Sequence, residues 1–342
     1  MAIPSKIGVI SIGDMGVGIA KLLIAKGFQV ATNCTGRSQD TIDRAREANV
    51  ELLDSTDALV SQCAAILSVV PPRDAESTAD RIISALSTSP SRPTPLYFVD
   101  MNAVAPSTAQ SISSLFTRSR VSAVYIDACI IGAPPRLKSS PSADTNLSSS
   151  TPTPTATATS DDGDDDDDSW LVPGMPMSGP HQLSSLPHLG PRLHSALGGT
   201  HISPAVGAAS GLKMCFASLS KGFTAIATQA FTSAANLGVL GPLRAELAAR
   251  FPSHLAAAEK GVTTMPPKAY RWVREMEEIS KTHAEEGGFR PELFLGAAGV
   301  YRAVEESALG GEKIGKRKRG TTVEDVAAAL TEGFEAKRKK TD

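Results

Sequence analysis

Cysteine is scarce in this sequence. Its 342 residues hold four, Cys34, Cys63, Cys129 and Cys215, widely spread and with no C-x-x-C pair. That excludes a disulfide framework and fits an intracellular, reducing compartment, with the thiols as small buried apolar groups. Net charge is also small, −2 at neutral pH, so no global field argues for nucleic acid or a membrane surface. No secretory leader is expected, since "MAIPSK" runs straight into a strand-like segment without an apolar h-region. No apolar run is long enough for a membrane span; the long apolar region after Val206 is interrupted by Lys213 and Lys221. There is no G-x-S-x-G elbow and no lysine-bearing P-loop. The histidines His181, His188, His194 and His201 lie among Pro187, Pro191 and Gly198, which break any common helix, and they match no zinc pattern. No metal site is expected.

What is present is an alternation. The β-branched runs "KIGVISI", "FQVATNC", "AAILSVV", "LYFVDM" and "AVYIDA" are separated by helical stretches at Gly16 to Lys26, Thr41 to Ala48, Ala75 to Leu86 and Ser107 to Thr117. Near-continuous apolar strands between helices predict a parallel sheet covered on both faces, with right-handed crossovers: an α/β, Rossmann-type doubly wound sheet. The pattern breaks at residues 138–169, where "SSSTPTPTATATSDDGDDDDDS" is too poor in apolar residues to offset its ordering entropy and reads as a disordered insertion. "WLVPGMPMSGP" (Trp170 to Pro180) reads as a further strand, its prolines marking an edge. A short helix and a strand near "GGTHIS" follow. From Val206 the chain turns helical. Leu212, Phe216, Leu219, Phe223 and Ile226 recur at 4, 3, 4 and 3 residues, which predicts one buried face of a helix running to about Asn236. Further helices are expected at Pro242 to Arg250, Pro266 to Glu286, Pro291 to Ala308 and Val323 to Phe334. The expected division is a nucleotide-binding domain over residues 1–205, an all-α C-terminal domain over 206–312, and a basic tail with a short helix over 313–342. The runs "KRKR" and "KRKK" read as solvated tail, with nuclear import as the functional alternative.

The stretch "KIGVISIGDMGVGIAKLL" carries a tight strand-to-helix turn, Ser11-x-Gly13-x-x-Gly16. Backbone N–H groups and the positive helix end meet there, which suits a pyrophosphate. Ser11 takes the place of the usual first glycine, and is unstrained there only if its φ is negative. Gly13 is expected to let the turn form, with Gly16 and Gly18 permitting close approach, and Asp14 and Met15 between them are expected to contribute to cofactor binding. After the second strand comes "NCTGRSQD", with no acid until Asp40. An acid would bond a ribose 2′-hydroxyl, whereas Arg37 beside Ser38 suits a 2′-phosphate. NADP is therefore expected over NAD. Val70 and Pro71 in "VVPPRDA", and Asn102 in "DMNAVAPST", follow strands whose carboxyl ends line the crevice. Asn102 is a candidate for the nicotinamide ribose, or else only satisfies turn backbone.

Together "GVISIGDMG", the Gly-Arg-Ser after the second strand, "SVVPPRDA", "FVDMNAVAPST", "YIDACIIGAPP" and "GAASGLKM" resemble the β-hydroxyacid dehydrogenase and 6-phosphogluconate-dehydrogenase-like superfamily. The last three are most similar to its branch with a distinct phosphogluconate-dehydrogenase-like C-terminal domain. The resemblance implies a Rossmann domain, a long helix crossing between domains, and a helical domain that often builds a homodimer. It implies oxidation of a 3-hydroxy acid or the reverse reduction, with a lysine assisting proton transfer. By motif that lysine is Lys213, and "IIGAPP" supplies the substrate-carboxylate segment, Ile131, Gly132 and Ala133. Two departures stand out: Ile131 replaces the family's serine, and Ala217 its asparagine.

A lysine titrates near ~10.4, so burial or a neighbouring cation must lower it before it serves as a base at neutral pH. Lys221, eight residues on and about 80° round the helix, is a second candidate, with Ser220 and Thr224 along the same side. The expectation is a cytoplasmic NADP-dependent oxidoreductase of the 3-hydroxyacid dehydrogenase type acting on a small molecule. The alternatives are an imine-reducing enzyme, for which the missing Ser and Asn leave room, and a non-catalytic NADP-binding regulatory protein.

Overall fold

The computed structural model describes residues 4–138 and 169–341. The Ser/Thr/Pro/Asp insertion, except for its ends Lys138 and Ser169, lies outside the described residues.

The first half follows the alternation: β1 (Lys6–Ile10), α1 (Asp14–Ala25), β2 (Val30–Thr32), α2 (Gln39–Glu47), β3 (Glu51–Leu52), α3 (Thr56–Gln62), β4 (Cys63–Ser68), α4 (Ala75–Thr88), β5 (Leu96–Asp100), α5 (Pro106–Ser119) and β6 (Ala123–Ala128). A short ladder joins β7 (Arg136–Leu137) to β8 (Trp170–Leu171). Then come β9 (Met175–Ser178), α6 (Gly190–Ala196) and β10 (Gly199–Ser203). Eight strands form one sheet in the order β10-β9-β6-β5-β4-β1-β2-β3. Alternate strand residues feed two cores. Val9, Leu67, Val99 and Ile126 pack with α1 and α6, while Ile66, Phe98 and Tyr125 pack with α4 and α5. That is the period-2 alternation of a sheet covered on both faces.

Two details of the sheet differ from expectation. The strand in "WLVPGMPMSGP" is not an edge: β9 lies between β6 and β10, and β10 is the edge strand. Pro176 is tolerated because it offers only its carbonyl, which accepts from the Cys129 N–H at 2.9 Å, and a proline lacks only the donor. The sheet is also not wholly parallel, since β9 pairs with β6 antiparallel.

The rest is helical: α7 (Ala208–Asn236), α8 (Leu240–Arg250), α9 (Pro252–Thr264), α10 (Ala269–Gly287), α11 (Glu292–Glu305) and α12 (Val323–Thr341). Compactness divides the chain differently from the expected boundaries at 205 and 312. One unit comprises Met1–Arg136, Val172–Leu219 and Arg274–Leu295. The other comprises, among the described residues, the β7–β8 ladder, Ser220–Val273 and residues 296–341. The sheet unit keeps the start of α7 and the end of α10 because buried carboxylates tie them in. In α10, Glu278 Oε2 accepts from the Ala105 N–H at 2.9 Å and the Thr108 hydroxyl at 3.2 Å, capping α5.

The residues read as a basic tail belong to the helical unit. Arg317 bonds the carbonyls of Thr263 and Gly320, and Arg319 pairs with Asp325 at 2.8 Å and Glu332 at 2.9 Å. Val323, Val326, Ala327 and Leu330 bury the apolar side of α12. The α7 stripe expected to be buried is exposed: Leu219 is 80 % accessible, Ile226 57 % and Phe216 50 %. The buried side of that helix is instead Ala209, Met214, Ala217, Ala225 and Phe231. Among the described residues no helix is long and apolar enough to cross a membrane.

Candidate active site

The order of strands reverses between β1 and β4, so the crevice of the sheet opens at their carboxyl ends. Ser11 follows β1 there with φ +77°, the left-handed backbone a glycine adopts freely. Gly13, by contrast, is extended at φ −78° and is the N-cap of α1 without a side-chain cap. The turn therefore strains the serine and does not depend on the glycine. A Cβ at Gly13 would meet only Ser11 Oγ, at 3.9 Å, so the space before the helix is open. A Cβ at Gly16 would stand 1.9 Å from the Ser11 carbonyl oxygen, and one at Gly18 3.0 Å from that of Pro135. Close approach is what Gly16 and Gly18 provide. Asp14 is exposed in the first turn, Met15 half-buried.

A cavity of about 150 Å³ lies beside this turn, lined by Ser11, Ile12 and Gly13 and by the loop after β2. Arg37 lines it; Ser38 does not, and instead shares a 3.1 Å hydroxyl contact with Thr41 at the start of α2. Arg44 and Arg81 also line the cavity, and neither was expected from the sequence. An open helix start next to a cationic cavity fits a dinucleotide, with pyrophosphate at the turn and the adenine-side ribose beyond β2.

Asn102 is buried and engaged. Its Oδ1 accepts from the Val70 N–H at 2.7 Å and its amide donates to Ser68 Oγ at 3.1 Å. It braces the Val70–Pro71 loop against the end of β5. Nearby, burial pushes the Asp100 carboxyl up to about 7, partly offset by bonds from the Asn102 N–H and the Tyr125 hydroxyl.

Asp127, near the end of β6, is the strongest polar node that the sequence did not reveal. Its Oδ2 accepts from Ser178 Oγ and from the backbone N–H groups of Gly207, Ala209 and Ser210, at 2.7 to 3.2 Å. Its Oδ1 accepts from Ser210 Oγ at 2.6 Å. A carboxylate on those N–H groups fixes the start of α7 and complements its dipole. Lys213 follows one turn later, half-buried, and its Nζ donates to the Ile130 carbonyl at 2.6 Å. Burial pushes the neighbouring Cys129 thiol up to about 12, with the Lys213 ammonium acting the other way, so this thiol is no nucleophile at neutral pH.

The segment after Ile130 is shaped by backbone. The Ile131 N–H donates to the Gly174 carbonyl at 2.8 Å, with the reciprocal bond at 3.1 Å. Gly132 has φ +137° and Ala133 follows it. The structure thus brings Lys213 to the edge of Ile131–Ala133. Ala217 is buried. Lys221 and Ser220 belong to the helical unit. There the Lys221 ammonium lies 5.0 Å from the centre of the Trp272 ring, a cation–π contact, and its carbonyl accepts from the Tyr301 hydroxyl. Thr224 is buried, with its hydroxyl on the Ser220 carbonyl, so no open polar stripe continues along α7. Among the described residues no three His, Cys, Asp or Glu side chains gather as a metal site.

Residues 6–141 match the NAD binding domain of 6-phosphogluconate dehydrogenase, and residues 234–304 match a domain of unknown function, DUF1932. Over these residues the chain carries an NAD-binding domain of the 6-phosphogluconate-dehydrogenase type, followed by a DUF1932 domain. Among solved structures, a 3-hydroxyisobutyrate dehydrogenase of Mycobacterium tuberculosis, described with L-serine, aligns at TM-score 0.60 and 13 % identity over 96 % of this chain and 99 % of its own. A conserved hypothetical protein of Sinorhizobium meliloti 1021 aligns at 0.59 and 18 %, over 97 % of each chain. A 3-hydroxyisobutyrate dehydrogenase of Salmonella typhimurium aligns at 0.55 and 13 %, over 95 % of this chain and 99 % of its own. At these identities the likeness is one of fold. No curated protein matches the sequence. The match makes this an NAD(P)-binding domain, and Ser11 to Gly16, Arg37, Val70, Pro71, Asn102 and Ile131 to Ala133 lie within the matched residues. Lys213 lies between the two matched segments.

Proposed function

We propose that this chain is an NADP-dependent oxidoreductase of the 3-hydroxyacid dehydrogenase type. It acts on a small hydroxy or keto compound, with Lys213 as the general acid and base. The observation that carries this reading is the Lys213 Nζ held at 2.6 Å by the Ile130 carbonyl, beside the segment where the superfamily resemblance places substrate. When bound, nicotinamide supplies or takes the hydride. The protein's part is orientation and the proton. The Ile130 carbonyl fixes where the ammonium points, and Asp127 fixes the helix that carries it. In the reducing direction Lys213 gives a proton to the carbonyl oxygen; in the oxidising direction it takes the hydroxyl proton. Gly13 and the start of α1 would hold the pyrophosphate, and Arg37 the 2′-phosphate.

The substrate is less polar than a short hydroxy acid. Ile131 offers an alkyl side chain where the superfamily resemblance implies serine, and its N–H is spent on Gly174. The same loss of polar anchors favours imine reduction as the second reading. The chain also pairs with a second copy through the exposed apolar side of α7. The test is NADPH consumption with a panel of keto acids and imines, run on the wild type and Lys213→Ala. Turnover on one class, falling about a hundred-fold or more in the variant with NADPH binding kept, is expected. Undiminished turnover of the variant removes Lys213 from the chemistry. Binding without consumption across the panel favours a regulatory protein.

A further inference from the structure

The cavity beyond β2 carries more positive charge than its loop alone provides. Arg37 enters from the loop, Arg44 from α2 and Arg81 from α4, three separate elements. Ser11, Thr35 and Thr41 add hydroxyls, and no Asp or Glu is among the lining residues. Three guanidiniums around one cavity of about 150 Å³ repel one another unless an anion joins them. Arg44 differs from the other two. It is half-buried, and its Nη1 donates to the Ile12 carbonyl at 2.7 Å, one residue before the N-cap of α1.

We propose that Arg37, Arg44 and Arg81 form a three-sided clamp for the cofactor's 2′-phosphate, in which Arg81 helps select NADP over NAD and Arg44 also positions the pyrophosphate turn. This deepens the function proposed above and rests on its NADP reading. A dianionic phosphate neutralises most of the clamp's charge through forked, charge-assisted hydrogen bonds. The neutral ribose diol of NAD leaves all three cations uncompensated, so the clamp attracts one cofactor and disfavours the other. Arg81 is exposed on the outer side of α4, with no packing role to explain its place in the lining. Arg44 joins both phosphate sites: one end of its fork holds the turn and its planar head borders the cavity.

The test is equilibrium titration of NADPH and of NADH, by fluorescence, on the wild type, Arg81→Ala, Arg44→Met and Arg44→Lys. Wild type is expected to prefer NADPH. In Arg81→Ala the NADPH-to-NADH affinity ratio narrows about ten-fold or more, through loss of NADPH binding. Arg44→Met weakens both cofactors, because the turn loses its tether, and Arg44→Lys restores part of both affinities. Thermal unfolding of each variant checks the fold; if Arg44→Met does not fold, the lysine variant alone is read, and must weaken both cofactors. An unchanged ratio in Arg81→Ala removes Arg81 from the clamp. An Arg44 variant that loses NADPH affinity alone overturns the positioning role. A wild type that prefers NADH overturns the NADP reading itself, a result distinct from either failure.

Discussion

Ser11 holds a left-handed backbone at φ +77°, at a position where glycine is unstrained. The strain is local to this backbone, so Ser11→Gly is expected to raise stability by roughly 0.5–1 kcal/mol in urea unfolding, after glycine's larger entropy loss. A destabilised variant would mean the hydroxyl contributes more than the backbone costs. Asp100 gives a second expectation. Burial raises its carboxyl to about 7 in the folded protein, above its unfolded value near ~3.9. The folded state then keeps a proton that the unfolded chain releases. Its contribution to stability is fully present below about pH 4, is lost as pH rises to about 7, and is constant above that. The slope reaches at most ~1.4 kcal/mol per pH unit. Asp100→Asn should gain on the wild type across that window; parallel stability curves from pH 4 to 7.5 would refute the shift. Residue by residue, the site was legible where chemistry sits on a strand end. Arg37 follows β2 directly and could be read. Arg44 and Arg81 reach the same cavity from helix faces, and no spacing in the sequence links them to it. Asp127 was hidden for the same reason: its partners lie 51 to 83 residues away.

At the scale of elements, α7 shows what periodicity can and cannot tell. The 4-3-4-3 spacing does mark a helix and an apolar side, and both exist. It does not say what covers that side, and this chain by itself leaves it bare. The start of α7 is fixed by Asp127, which closes five hydrogen bonds on it and on Ser178. Asp127→Ala leaves the buried Gly207 and Ser210 N–H groups without their acceptor, while that of Ala209 keeps Ser178 Oγ at 3.0 Å. It is expected to cost about 3 kcal/mol or more in urea unfolding and to lower turnover by loosening Lys213. Wild-type stability in that variant would contradict the anchoring role. Two of the elements missed from the sequence are short: β3 has two residues and α3 seven, too few for a period. The thirteen residues of α9 were missed as well. Ser55 nevertheless caps α3 by accepting the Ala58 N–H at 3.0 Å, and that local signal was readable.

For the whole molecule, the exposed apolar side of α7 is the feature a single chain does not explain. In the helical unit an apolar groove of about 320 Å³ adds to it, lined by Phe223, Ile226, Phe231, Leu243, Leu247 and Phe251. Apolar surface on this scale marks an association site. Sedimentation equilibrium should therefore give twice the chain mass at micromolar concentration, and Leu219→Asp should give the single mass. A monomeric wild type would contradict the proposed homodimer. The fold class was legible because a nucleotide-binding sheet writes its alternation locally, whereas the unit boundaries depend on bonds between distant segments. Calorimetric titration of the folded wild-type protein with NADPH tests the central claim most directly. Saturable binding at micromolar NADPH, tighter than for NADH, is the predicted result. No uptake of NADPH up to millimolar concentration would contradict it.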